Sequence, residues 1–319
     1  MEMPVVLKQA LEELSAELNQ THVKKSATKI SLRYRTEIKR GQDLIDGHTD
    51  SVAYALSRMP ATFGAISTVM SQVAQIPDFN PDTFTDVGSG TGSAVWSASD
   101  FFNFKKIVCL ERNTNMLKTG KKLTGNGKDF FSTTPEWTKF DLLHDSLPCA
   151  DLVCAAYVLN ELDESERPNA LLKLWNATQN ILVLIEPATP ESFKQVKEYR
   201  QTLIDNGAFI TAPCSHQNEC RNDWCHFGCR VARTKIHRMA KGGEAPYEDE
   251  KFCYLIACRQ KHPSNTFRIL RHPLIEKGKV TLSLCSADGI IEKTLSKKDG
   301  AVYKAARKAK WGNSFIPTE

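Results

Sequence analysis

Thr83-Phe84-Thr85-Asp86-Val87-Gly88-Ser89-Gly90-Thr91-Gly92 reads as a short strand, apolar at Phe84 and Val87, running into a glycine turn. Ser93 to Phe102 then reads as the first turns of a helix. Glycine at 88, 90 and 92 lets the backbone turn sharply and lets a ligand approach where a Cβ would collide. A helix N-terminus beyond such a turn offers unpaired N–H groups to a carboxylate or phosphate. The next strand signal, Lys106 to Leu110, ends in Glu111. An acid at that strand tip, roughly 20 residues past the turn, is placed to accept bonds from ribose hydroxyls. The spacing is Gly-x-Gly-x-Gly, not the Gly-x-Gly-x-x-Gly of a dinucleotide site. Asp86 would repel a pyrophosphate but suits a cation. Both points favour S-adenosylmethionine, which carries an ammonium and a sulfonium. Asp86, Gly88, Ser89, Gly90, Gly92 and Glu111 are therefore the first cofactor-binding candidates.

Downstream, strand and helix signals alternate, which predicts a mostly parallel sheet covered on both faces. Phe140-Asp141-Leu142 reads as a third strand end, with Asp141 placed for an adenine amino group. Ala150 to Tyr157 is an apolar fourth strand running into Val158-Leu159-Asn160-Glu161. Ligands in open α/β sheets sit at the carboxyl ends of strands. Tyr157, Asn160 and Glu161 thus lie near any transferred methyl group. A helix over 167–179, a fifth strand over 180–185 and a helix over 192–206 continue the pattern. Upstream, Val5 to Leu18 has helical apolar spacing. Lys24 to Gly41, with Arg33, Arg35, Lys39 and Arg40, reads as a solvated linker or an RNA-facing surface. Thr49 to Ile76 reads as two helices meeting near Pro60.

Past Asn206 the alternation gives way to cysteine, histidine and loops. Strands are expected over 252–259, 267–270, 279–284 and 290–295, and a basic helix over 299–311. Three domains are expected: helices over 1–77, a Rossmann-like core over 78–209, and a small β-rich unit over 210–319.

The chain has 319 residues, 41% hydrophobic and 25% charged, which are globular values. No apolar run reaches membrane-spanning length. Glu2, Glu12, Glu13 and Glu17 make the N-terminus unlike a transit peptide, so a cytoplasmic, bacterial protein is expected, acting as a monomer. The net charge of +5 is unevenly placed. Lys293, Lys297, Lys298, Lys304, Arg307, Lys308 and Lys310 crowd the C-terminal end. That suits a phosphate backbone or a solvated helix face.

Ten cysteines without a secretory signal point to metal or catalytic use rather than disulfides. Cys214, His216, Cys220, Cys225, His226 and Cys229 pack into one short polar stretch that cannot hold itself by apolar burial. Spacing leaves the metal open: zinc knuckles are absent, and iron–sulfur clusters accept looser spacing. It also leaves the fourth ligand open between Cys229 and the distant Cys285. Cys109, Cys149, Cys154, Cys253 and Cys258 lie in or beside strands and are expected in the core.

Arg58-Met59-Pro60-Ala61-Thr62, the glycine turn and Leu159-Asn160-Glu161-Leu162 together resemble a known family. So do Ala212-Pro213-Cys214-x-His216, Trp224-Cys225-His226-Phe227, Pro246 to Phe252, Leu284-Cys285-x2-Asp288-Gly289 and Lys308-x-Lys310-Trp311-Gly312. The chain resembles the methyltransferase-like assembly proteins of the mitochondrial ribosomal small subunit, in particular their compact bacterial members. The resemblance implies a class I S-adenosylmethionine-dependent methyltransferase fold and a role with the small ribosomal subunit and its rRNA. It also implies a [4Fe–4S] cluster on Cys214, Cys220, Cys225 and Cys285, with zinc as the alternative metal. Cys229 is then an extra thiol.

Methyl transfer needs a nucleophile held close and in line. The Asn-Pro-Pro-aromatic loop of amino-group methyltransferases is absent after the fourth strand, and Pro148-Cys149 precedes that strand rather than following it. Asn160 and Glu161 are the polar candidates. An rRNA methyltransferase and a non-catalytic RNA-binding assembly factor on the same fold both fit; a dehydrogenase is the more distant alternative.

Overall fold

A computed structural model describes residues 2–36, 45–221, 224–242, 244–262 and 266–316. Along the chain these form α1 (Val5–Ala16), α2 (Gln20–Thr36), α3 (His48–Ser57), α4 (Met59–Val73), β1 (Thr83–Val87), α5 (Ser93–Ala98), β2 (Lys106–Glu111) and α6 (Thr114–Asn126). There follow β3 (Glu136–Lys139), β4 (Ala150–Ala156), α7 (Arg167–Ala177), β5 (Thr178–Pro187), α8 (Pro190–Asp205), β6 (Phe209–Ala212), β7 (Phe227–Ala232) and α9 (Lys235–Lys241). The chain ends in β8 (Tyr247–Cys258), β9 (Phe267–Ile269), β10 (Leu274–Glu276), β11 (Lys279–Ser286), β12 (Gly289–Ser296), α10 (Gly300–Lys308) and β13 (Ser314–Phe315). Two compact units result, Met1–Leu184 with Cys229–Glu250, and Ile185–Gly228 with Lys251–Glu319.

The larger sheet has the order β3-β2-β1-β4-β5-β8-β6, with β7 also on β8. β1 pairs β2 and β4 in parallel, β2 pairs β3 in parallel, and β6 runs antiparallel to β8. This is the class I S-adenosylmethionine-dependent methyltransferase order. The centre of the sheet is buried on both faces. β4 therefore reads as an apolar run rather than an alternating one, and β1 is buried from Phe84 to Val87 although it carries Thr85 and Asp86. Asp151 fixes their register: its Oδ2 accepts from Asp82 N, Thr83 N and Thr83 Oγ1 at 2.9–3.0 Å.

In the first unit, α3 and α4 break at Arg58 as expected, with Pro60 in the first turn of α4, where a missing N–H costs nothing. The expected linker over 24–41 is instead helix through Thr36. Val23, Ala27 and Ile30 recur at helical spacing and are buried, while Lys29 and Arg33 reach Asp46 from the polar side. Lys39 and Arg40 lie outside the described residues. The third strand ends at Lys139, short of the expected Phe140-Asp141-Leu142. Trp137 holds this polar strand down. Its ring lies where a Cβ on Gly120 would come within 2.2 Å, and its indole N–H donates to Thr124.

In the second unit, β12 pairs β11 over its full length, and the smaller sheet runs β10-β11-β9-β13. Ile269, Val280, Leu282, Leu284, Leu295 and Phe315 form its core, onto which α10 packs Tyr303 and Ala306. β7, α9, β10 and β13 had no sequence signal strong enough to name.

Candidate functional site

In the first unit the glycine turn forms as the sequence requires. Gly88, Gly90 and Gly92 take φ of 69°, 55° and 98°, a region that excludes most side chains. Their surroundings differ. A Cβ on Gly88 would stand 2.4 Å from Val158 Cγ2, so Gly88 is needed for packing. A Cβ on Gly90 would meet only Met116 Cε, at 3.4 Å, so Gly90 leaves room for a ligand. Ser89 is spent internally: its hydroxyl donates to Asp86 O at 2.8 Å.

Glu111 braces the turn from the tip of β2. Its Oε2 accepts Gly90 N–H and its Oε1 accepts Asn113 N–H, both at 2.7 Å. A carboxylate accepts more than two bonds, so this bracing is compatible with a ribose hydroxyl. Asp86 is 1% exposed and lies between Cys109 and Cys154 in register. Its Oδ2 has no hydrogen-bond partner among the described residues. Burial pushes the Asp86 carboxyl up to about 7, and the nearby Glu111 charge adds to the effect. A buried carboxylate with an unpaired oxygen fits a cationic group, and the open side of Gly90 fits the rest of the cofactor.

The other candidates stand on the same edge of the sheet. Tyr157 follows β4 with a φ of 62°, a strained value for an aromatic residue, and its hydroxyl is buried. Asn160 and Glu161 sit in the 3₁₀ turn that follows, Glu161 exposed. Asp141 lies two residues past β3. Its Oδ1 accepts Leu143 N–H at 2.9 Å, an Asx turn that spends one oxygen locally. Cys149 is exposed rather than core, and it precedes β4, at the amino end of a parallel strand, the wrong end for the cofactor edge.

The raised Asp86 carboxyl sets a pH dependence. Its unfolded value is near 4, so the folded protein holds the proton more tightly. Stability from this group is full below about pH 4 and falls as pH rises through about 7. Asp86→Asn cannot ionise. Thermal unfolding of the ligand-free protein should show it more stable than wild type at pH 8, by on the order of 4 kcal/mol. The difference should vanish toward pH 4.

In the second unit, Cys214, Cys220, Cys225 and Cys285 line one cavity beside Arg200, with Cys253 as a fifth thiol. Cys229 is not on that wall; in the first unit its Sγ lies 3.2 Å from where a Cβ on Gly64 would stand. Burial raises the Cys225 thiol well above its ordinary value and Cys285 to about 12, and the neighbouring Cys214 and Cys220 charges add to both. Thiolates so placed need a cation among them. Arg200 and Arg268, 3% and 5% exposed, are held on the loop by His216 O and Pro213 O. Four thiolates on a four-iron cluster or on zinc make a dianion, which two buried guanidinium groups balance. The donor chemistry therefore fits a thiolate-bound metal. The space does not yet fit: the cavity is about 30 Å³, and no group of three or more His, Cys, Asp and Glu among the described residues stands close enough to hold an ion. Metal binding would have to part these walls. Cys253 and the two arginines were missed by sequence reasoning, because only tertiary packing turns them toward the loop.

The sequence profile described as mitochondrial small ribosomal subunit Rsm22 matches residues 48–316. The chain belongs to the Rsm22 family. A human relative, ribosome assembly protein METTL17, mitochondrial, is 26% identical over 286 residues, covering 82% of this chain and 62% of that protein. A relative from Schizosaccharomyces pombe, Rsm22-cox11 tandem protein 2, mitochondrial, is 25% identical over 327 residues, covering 83% of this chain and 43% of that one. This Rsm22-family chain thus spans less than two thirds of the length of either relative. Among solved structures it is similar to magnesium protoporphyrin IX methyltransferase from Synechocystis PCC 6803 with bound SAM. The identity is 15% and the TM-score 0.43, over 76% of this chain and 98% of that one. A SAM-dependent methyltransferase from Aquifex aeolicus is 16% identical at TM-score 0.43, over 67% of this chain and all of that one.

Proposed function

We propose that this protein binds S-adenosylmethionine at the carboxyl edge of β1, β2 and β4 and acts in assembly of the small ribosomal subunit, on its rRNA. The observation that carries the cofactor reading is the unpaired Asp86 oxygen behind a glycine turn that is open at Gly90. Family membership, and the name of the human relative as a ribosome assembly protein, support the partner. We assign residues 78–209 to the cofactor core and residues 210–319 to the metal loop and the RNA-facing unit. Cys214, Cys220, Cys225 and Cys285 hold a [4Fe–4S] cluster in this reading, with zinc as the alternative. The chain works where small subunits assemble, the cytoplasm of a bacterium or the interior of a mitochondrion. Among the described residues no helix is long and apolar enough to cross a membrane.

A second reading keeps the fold and drops the chemistry. The placement of Cys149 favours it, as do Asn160 and Glu161, which both already have partners within the protein. The test is transfer of labelled methyl groups to small subunits from cells that lack the protein. Label in rRNA establishes the enzyme. Cofactor binding without label, while the protein still joins the immature particle, establishes the assembly factor.

In this reading RNA docks on the C-terminal helix α10 and the turn that follows it. Lys304, Arg307, Lys308 and Lys310 are exposed, while Tyr303 and Ala306 anchor the other face of α10. Changing all four to Gln should weaken RNA binding and flatten the slope of log affinity against log salt by up to about 3. The fold should survive, because the anchoring residues are untouched. An unchanged slope would make the cluster an ordinary solvated face.

A further inference from the structure

Arg58 ends α3 and starts α4, and the neighbouring contacts hold that break over the cofactor edge. Thr62, one turn into α4, shares a 2.8 Å hydroxyl–hydroxyl bond with Ser93, the first residue of α5 after the glycine turn. On the other side Ser51 of α3 bonds Thr119 of α6 at 2.7 Å. Asn113, the cap of α6 two residues past Glu111, donates to Ile45 O at 3.0 Å. The Arg58 charge reaches Tyr157 at the end of β4, and it reaches Tyr54, which in turn senses Glu111 and Glu161.

A guanidinium carries five N–H donors. Arg58 uses one, in a long bond from Nη2 to Glu250 Oε1 at 3.4 Å, with no other partner among the described residues. The cluster behind it is short of negative charge. Glu248 already takes Arg233 at 3.2 Å, Lys241, and His237 at 3.1 Å. Burial favours the neutral form of His237. Among the described residues the ion pairs of Arg58, Arg233 and Lys241 are shared between two carboxylates, Glu248 and Glu250, which leaves one positive charge without an ion-pair counterpart. A part-buried charge of this kind is costly unless an anion joins it.

The amino-acid end of S-adenosylmethionine is a zwitterion. Asp86 suits its ammonium, but Asp86, Glu111 and Asp141 would all repel its carboxylate. We propose that Arg58 binds the α-carboxylate of the cofactor through its unused N–H donors, with Glu250 holding the guanidinium in place. This assignment rests on the cofactor reading above and adds the one cation that reading lacks.

The test compares S-adenosylmethionine with decarboxylated S-adenosylmethionine, which keeps the ammonium and sulfonium and lacks the carboxylate. Binding is measured by calorimetry on the full chain, purified anaerobically. Wild type should prefer the intact cofactor by about 10- to 100-fold, the range for a hydrogen bond to a charged group. Arg58→Met should lose that preference and bind the decarboxylated form within about 3-fold of wild type, and Arg58→Lys should restore part of it. Equal weakening of both ligands by Arg58→Met would make the residue structural and overturn the assignment. So would a wild type that binds both ligands equally, a comparison that needs no variant to fold. A wild type that binds neither would overturn the cofactor reading itself, and the assignment with it.

Discussion

Cys285→Ser should lose its iron, although residue 285 lies 60 positions from the nearest of the other three proposed ligands, Cys225. The four thiols share one cavity wall, and Cys285 reaches it from β11, in the smaller sheet, whereas Cys214, Cys220 and Cys225 come from the loop after β6. A metal at this wall would staple that loop to the sheet, so its binding free energy would become folding free energy for the loop. A serine hydroxyl gives up its proton far less readily than a thiol and is a much weaker ligand for cluster iron than a thiolate. Protein purified anaerobically should fall from roughly four irons per chain to a small fraction of that. The loop should become sensitive to protease. Two controls sharpen the outcome. Cys253 lines the same wall, but its Sγ lies 3.2 Å from the Cys225 carbonyl oxygen as a donor, so Cys253→Ser should keep its iron. Cys229→Ser should keep it as well, because Cys229 is not on the wall. Full iron in Cys285→Ser together with loss in Cys253→Ser would move the fourth ligand to β8. Zinc in place of iron in wild type would keep the ligand set and change the metal.

The parts of this molecule legible in its sequence are those where one residue type meets a local need. The glycine turn declares itself because φ above zero excludes side chains, and the centres of β2, β4 and β5 because strands buried on both faces are mostly apolar there. Glu111 and Asp86 follow from their places at the strand tips. What stayed hidden depends on distant packing. Glu136-Trp137-Thr138-Lys139 has no apolar alternation, and only Trp137 seated against Gly120 and Thr124 makes it a strand. Lysines at 24, 25 and 29 masked the helical spacing of Val23, Ala27 and Ile30. Arg58 was visible as part of a motif, but its unused donors become apparent only when Glu250, 192 residues away, is seen to be its one partner among the described residues. Cys285 could not have been chosen by spacing, and the resemblance alone supplied it. Cys253 looked like a strand core residue and is one; that its wall faces the thiol loop is a tertiary fact.

Gly90→Arg should abolish cofactor binding while leaving the protein folded. The left-handed backbone at φ 55° costs a non-glycine residue about 1–2 kcal/mol. No steric cost accompanies it, because the nearest atom to a new Cβ, Met116 Cε at 3.4 Å, is at ordinary contact distance. The arginine side chain must then run into the space left for the ligand, where it would also set a cation against the ammonium and sulfonium. Calorimetry should show affinity for S-adenosylmethionine reduced by more than about 100-fold, equivalent to roughly 3 kcal/mol. Thermal unfolding should fall by only a few degrees. Gly88→Ala is the counter-example on the same turn. Its Cβ would collide with Val158 at 2.4 Å, so even this small change should damage the fold and binding together. Separating the two variants ties the affinity to the open side of the turn rather than to the stability of β1. Undiminished binding in Gly90→Arg would place the cofactor elsewhere. The same variant then separates the two functional readings. If it still joins the immature small subunit and supports assembly, the cofactor is dispensable to that role, and the fold serves as a scaffold for the RNA-facing unit. If assembly fails while the thiol loop keeps its metal, the cofactor site is required for the protein's work on the particle.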